Sequence, residues 1–172
     1  MTLTDEARVR QIEGRESARR TLTRYMDLCD VPRKSFDLDE LGLLFTPDAV
    51  WEGVGQAYAG KFGRVQGRAQ IVAMLGGYLP PSTHFRSNVH LLANEQVEVG
   101  TRDAAGQWIL QQISAYEDGR TELLCARLFV EFELDTTRTD GTIVASIRRF
   151  QTERLACVEL GDGNVIPMRR IR

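Results

Sequence analysis

The sequence predicts an α+β fold, with helices first and a meander of long antiparallel strands after them. Two observations carry that prediction. Over the first third of the chain, apolar residues recur every three or four positions, as on one face of a helix. From His84 onward the apolar period falls to two, the period of a strand with one buried face.

The elements follow in order. Val9, Ile12, Ala18, Leu22, Tyr25, Met26 and Cys29 stand at helical intervals in a charged background. They predict one amphipathic helix from about Thr4 to Cys29. DVPRKSFD ends it, since Pro32 cannot continue a helix and Asp and Ser favour turns. DLDELGLLF predicts a short second helix, with Asp37 or Asp39 near its N-cap and Leu41, Leu44 and Phe45 on one face. TPDA reads as a turn and VWEGV as a short strand. Beyond the glycine-spaced AYAGKFGRVQGRA, a third helix runs from about Arg68 to Tyr78 and is ended by GGYLPP. HFRSNVHLLANEQVEV and QWILQQISAY are long strands, and EDGR supplies a hairpin turn with a D-G pair. TELLCARLFVEFEL shows an unbroken apolar face of Leu124, Ala126, Leu128, Val130, Phe132 and Leu134. DTTRTDG then turns the chain into a last strand, TIVASIRRFQTERLACVEL. Residues 1–160 form a single domain, and the aperiodic residues 161–172 read as a C-terminal tail.

Composition narrows the function classes. A chain of 172 residues with 42% apolar and 27% charged side chains supports one soluble domain with a sizeable core. Its 22 basic and 24 acidic residues are interspersed and nearly cancel, so no basic stripe suggests nucleic acid. The three cysteines, Cys29, Cys125 and Cys157, are far apart and match no metal-ligand spacing. The polar N-terminus carries no signal-peptide pattern, and no apolar run reaches the ~18 residues of a membrane span. These features predict a cytoplasmic protein without a membrane or nucleic-acid partner. The glycines of GVGQAYAG and KFGRVQG form no phosphate loop, because G-K-[ST] is absent.

Four stretches carry a family resemblance: RYMDLCD at the end of the first helix, DELGLLFTPDAVWEG, VQGRAQIVAML, and THFRSN opening the long strand. In this order and spacing they resemble the SnoaL-like family of the nuclear transport factor 2-like superfamily, over about Arg8 to Leu160. The resemblance implies a cone-shaped, curved antiparallel sheet packed against three N-terminal helices, with an internal cavity at the wide end. It also implies a homodimer or homotrimer through the outer sheet face. Several relatives, such as scytalone dehydratase, a bile-acid dehydratase and hexachlorocyclohexane dehydrochlorinase, are enzymes that use a His–Asp dyad and need no metal or organic cofactor. The dyad positions fall on Asp30 and His84 in this chain. Tyr25, five residues before the aspartate, matches a tyrosine of the bile-acid enzyme.

Those residue types suit proton transfer. Histidine ordinarily titrates near ~6.5, and an aspartate on one ring nitrogen would fix the tautomer and leave the other nitrogen to accept a proton. Tyr25 could donate to a developing oxyanion. Trp51 is expected in the cavity wall, and Asn88, with His84 and Arg86 on one strand face, is expected to touch the ligand. His90 and the arginines Arg148, Arg149 and Arg154 are given no role beyond solvent or subunit contacts. The expected function is a cofactor-independent, dehydratase-like lyase or an isomerase acting on a hydrophobic cyclic small molecule. Two other classes compete: a non-catalytic small-molecule-binding module, and the small structural subunit of an aromatic-ring dioxygenase.

Overall fold

A computed structural model describes residues 4–32, 37–58 and 63–160. The expected tail, residues 161–172, lies outside them. The first helix, α1 (Asp5–Cys29), starts where Thr4 accepts from the Ala7 amide at 3.3 Å, and Asp5 and Glu6 suit the positive end of its dipole. Its C-terminal half buries Ala18, Leu22, Tyr25, Met26 and Cys29. Its first turns do not: Val9 and Ile12, expected on the apolar face, are 52% and 64% exposed, because the helix overruns the core. Two hydroxyls pin α1 to the last strand. Thr21 donates to the Ala145 carbonyl at 2.9 Å, and Ser17 accepts from the Ala145 amide at 2.8 Å.

The second helix, α2 (Leu38–Leu43), is capped by Asp37, which accepts from the Glu40 amide at 2.8 Å. Strand β1 (Phe45–Val54) begins earlier than VWEGV predicts. TPDA lies inside it, where the pairing register shifts between Phe45 and Val50. A 3-10 turn (Gln56–Tyr58) and the short β2 (Arg64–Gln66) follow, neither of them foreseen from the sequence. Helix α3 (Arg68–Gly76) stops two residues short of Tyr78, at a pair of glycines. Then come four long strands: β3 (Phe85–Val99), β4 (Asp103–Tyr116), β5 (Thr121–Asp135) and β6 (Val144–Glu159).

The six strands make one sheet in the order β2-β1-β6-β5-β4-β3. The sheet is mixed rather than wholly antiparallel, because β1 runs parallel to β6. It is open and cone-like, and α1 to α3 pack against its concave face. The predicted face of β5 is the middle of the core, with Ala126, Leu128, Val130 and Phe132 at 0–1% exposure.

Candidate functional site

The site begins where α1 ends. Asp30 leaves the helix in extended conformation (φ −72°, ψ 141°). The next residue, Val31, forms an isolated antiparallel bridge with Asn88 on β3, with both backbone bonds at 2.8 Å. That bridge sets Asp30 beside His90. A single oxygen, Oδ1 of Asp30, accepts from the His90 backbone amide at 3.0 Å and from its ring Nδ1 at 2.7 Å. A carboxylate on Nδ1 selects the Nδ1–H tautomer, so Nε2 keeps its lone pair. Nε2 lies 3.4 Å from the Asn88 amide nitrogen. The orientation of Asn88 is fixed in turn. Its carbonyl oxygen accepts from Gln112 Nε2 at 2.9 Å and from the Ser114 hydroxyl at 2.8 Å, and both Asn88 and Ser114 are buried. A chain of hydrogen bonds therefore runs Asp30–His90–Asn88–Gln112/Ser114.

This arrangement corrects the expected dyad. The partner of Asp30 is His90, and His84 shares no hydrogen bond or ion pair with Asp30. His84 sits ahead of β3, exposed on the rim of the cavity, with its backbone amide donating to Ser82 Oγ at 3.3 Å. Its ring packs edge-on against Tyr78, Phe85 and Tyr116, with centroids 5.0, 4.4 and 5.5 Å away. The reason is an irregularity between Phe85 and Ser87 at the start of β3, which leaves Arg86 exposed and breaks strict alternation from His84. From Asn88 onward the alternation holds, and it carries His90 to the inner face with Asn88. The signal was in the sequence, since His90 stands two residues from Asn88.

His90, Asn88, Tyr25, Trp51 and His84 all line one cavity of about 190 Å³. Its walls are mostly aromatic and aliphatic: Trp51 stacks on Phe150 at 5.7 Å, and Tyr25 packs on Phe150 at 5.0 Å. Trp51 Nε1 donates to the Tyr25 hydroxyl at 3.1 Å, and the same hydroxyl is hydrogen-bonded to Cys29. Burial pushes the Tyr25 phenol well above its usual range, which keeps it a protonated donor at neutral pH. Tyr25, Trp51 and Asn88 are thus all at the cavity, as expected of them.

Three further groups at the cavity had no site role expected from the sequence: Tyr116 and Glu122 were not singled out, and Arg154 was expected only at solvent or subunit contacts. The Tyr116 hydroxyl donates to Glu122 at 2.9 Å, and Arg120 reaches the other Glu122 oxygen at 3.3 Å. Burial, followed by the Glu122 hydrogen bond, pushes Tyr116 up to about 12. Raised pKa values mean that the folded state holds its phenol protons longer than the unfolded chain does. Tyr116 and Tyr25 should therefore stabilise the fold below about pH 10, and that contribution should fade as pH rises through their folded values. In a titration of tyrosinate absorbance, Tyr116→Phe should remove a step near pH 12, and an unchanged curve would contradict the Glu122 contact. Arg154 is the third group. A register shift between Cys125 and Ala126 leaves Leu155 unpaired between Arg154 and Ala156 and sends Arg154 to the cavity, where its guanidinium lies 5.3 Å over the Tyr58 ring. Its Nε is buried without a hydrogen-bond partner.

Among the described residues, no group of three or more His, Cys, Asp or Glu side chains is placed to hold a metal ion. No helix among them is long and apolar enough to cross a membrane.

Known proteins with this fold place the chain in context. Hexachlorocyclohexane dehydrochlorinase of type 3 from Novosphingobium barchaimii superposes with a TM-score of 0.70 at 16% identity, over 91% of this chain and 96% of that one. A scytalone dehydratase-like protein from Novosphingobium aromaticivorans gives 0.65 at 20% identity, over 84% and 85%. An NTF2-like protein with a cystatin-like fold from the same species gives 0.64 at 22%, over 87% of each chain. At these identities the likeness concerns the fold. No curated protein sequence matches the chain at a significant level. The model of the SnoaL-like domain matches residues 10–149, a span that includes most of α1, the Asp30–His90 pair and most of the sheet, and the chain belongs to that family.

Proposed function

We propose that the protein is a cofactor-independent lyase or isomerase in which His90 takes a proton from carbon on a hydrophobic cyclic small molecule. The observation that carries this reading is the 2.7 Å contact between Asp30 Oδ1 and His90 Nδ1 at the edge of an apolar cavity. The His90 side chain is only 9% exposed, so its Nε2 works in a largely water-free setting. As Nε2 takes the proton, the ring becomes an imidazolium and the Asp30 carboxylate stabilises it. Negative charge builds on the substrate at the same moment. The Tyr25 hydroxyl, already oriented by Trp51, can donate to an oxygen that carries it. Loss of a leaving group, with the imidazolium returning the proton, completes an elimination. Delivery of the proton to a second carbon completes an isomerisation.

The family and two similarly folded proteins named for dehydration and dehydrochlorination support elimination. The competing readings are less well supported. A pure binding module has no need of an imidazole oriented by a carboxylate, and among the described residues bulky side chains do not fill the cavity. A purely structural dioxygenase subunit would need neither feature.

The reading can be tested without a substrate. In ¹⁵N-edited imidazole spectra of the native protein, His90 should show the Nδ1–H tautomer with little exchange. In Asp30→Ala the ring should revert to the mixed tautomers of a free imidazole, while His84 stays unchanged. A His90 spectrum indifferent to the loss of Asp30 would sink the dyad.

A further inference from the structure

We propose that the substrate carries a carboxylate that anchors on Arg154, at the end of the cavity away from the reacting carbon. The inference rests on the reading above in taking the ligand to be a small cyclic molecule that reacts at His90.

Its basis is an inventory of charge. Among the described residues that line the cavity, two are charged at neutral pH, Glu122 and Arg154. Both oxygens of Glu122 are occupied, one by the Tyr116 hydroxyl and one by Arg120. Behind the lining, the Asp30 carboxylate is taken by His90. Arg154 has no such partner: among the described residues no carboxylate pairs with it, its Nε is buried and unbonded, and an aromatic ring is its neighbour. Arg154 is half-buried; a guanidinium offers five donors and cannot shed its charge, so a buried Nε–H without an acceptor is costly. A bound carboxylate would satisfy two donors at once in the bidentate geometry that arginine favours, and would neutralise the one charge that no described residue of the lining compensates.

Topology says where on the substrate that carboxylate belongs. His90 is on β3 and Arg154 on β6, with β4 and β5 between them. The register places His90 opposite Gln112 and then Leu124, whereas Arg154 lies opposite Ala126, one inward-facing row further along. Three strand spacings of about 4.8 Å and one row separate the two side chains along a curved sheet. A ring system fits between them, so the acid is a handle and not the group that activates the proton. The volume of about 190 Å³, roughly six times the ~30 Å³ share of a liquid water, suits one or two rings. The substrate class is therefore a one- or two-ring carboxylic acid that is deprotonated or undergoes elimination on the side opposite its acid group.

Titration calorimetry with 2-naphthoate and the isosteric, uncharged 2-naphthamide separates charge from shape. The native protein should bind the carboxylate at least tenfold more tightly than the amide. Arg154→Gln should bring the two probes within about twofold of each other, while Arg154→Lys, which keeps the charge, should retain part of the preference. Equal affinities in the native protein, a preference that survives Arg154→Gln, or no binding of either probe would each overturn the proposal. Should Arg154→Gln not fold, the native ratio and the lysine variant still decide it. Nothing in the calorimetry depends on proton transfer. An anion preference beside an indifferent His90 spectrum would leave the anchor standing and the dyad refuted; the reverse pattern would do the opposite.

Discussion

Replacing His90 with alanine is expected to lower kcat by about a thousandfold, while His84→Ala should keep turnover within about tenfold of the native rate. A positioned general base contributes on the order of 10²–10⁴ in rate. Of the two histidines, His90 has the geometry for it, with Nδ1 held by Asp30 at 2.7 Å and the ring at the cavity, where Nε2 meets the Asn88 amide at 3.4 Å. His84 has a ring at the cavity rim, packed among aromatic edges, and no carboxylate among the described residues pairs with it. Its removal loosens the entrance and should show in KM more than in kcat. The assay is release of water or halide, or appearance of a ring alkene, from hydroxylated and halogenated cyclic acids. Because Asp30 also accepts from the His90 backbone amide, His90→Gln provides a variant that preserves side-chain volume. A thousandfold loss in His84→Ala with His90→Ala unimpaired would reverse the assignment.

The two histidines also show what could be read in advance. Local signals were enough for the elements: the Thr4 and Asp37 caps, the helix exit at Cys29 and the period-two strands all fall close to where residue types place them. The cavity residues Tyr25, Trp51 and Asn88 followed as well, because their face is set by helix or strand phase. Pairing across the fold was harder. Asp30 meets His90 through a bridge between Val31 and Asn88, 57 positions apart, and no local period records that contact. The family resemblance carried the dyad to His84; the irregularity at Arg86 breaks the alternation ahead of Asn88, whereas counting forward from Asn88 leads to His90. Arg154 was illegible for a related reason: its direction depends on the unpaired Leu155, which only the register with β5 reveals. The parallel pairing of β1 with β6 is likewise a property of chain return and not of composition.

The largest stability effect is expected at Trp108. The indole is 2% exposed on the inner face of β4, opposite Leu128 and edge-on to Phe132 at 6.3 Å. Gly106 makes room for it, since a Cβ at Gly106 would stand 2.2 Å from the indole Cη2. Its Nε1 donates to Glu95 Oε2 at 3.2 Å, and Glu95 grips Arg19 of α1 at 2.6 Å. Trp108→Ala removes the core's largest fully buried side chain and one support of that clamp. A buried Trp→Ala change costs about 3–5 kcal/mol, which for a chain of this length lowers Tm by roughly 10 °C. Trp108→Phe divides the loss, because it keeps most of the apolar volume and deletes only the hydrogen bond. The Arg19 guanidinium first, and then the Trp108 indole, hold the Glu95 carboxyl below its usual 4.5. A depressed carboxyl stabilises the fold above its unfolded value, and that contribution is lost as pH falls through the folded value. The Trp108→Phe deficit in thermal melts should therefore be full at neutral pH and shrink below about 4.5. A deficit that does not change with pH would mean that the indole acts by packing alone and that Glu95 is held by Arg19 without it.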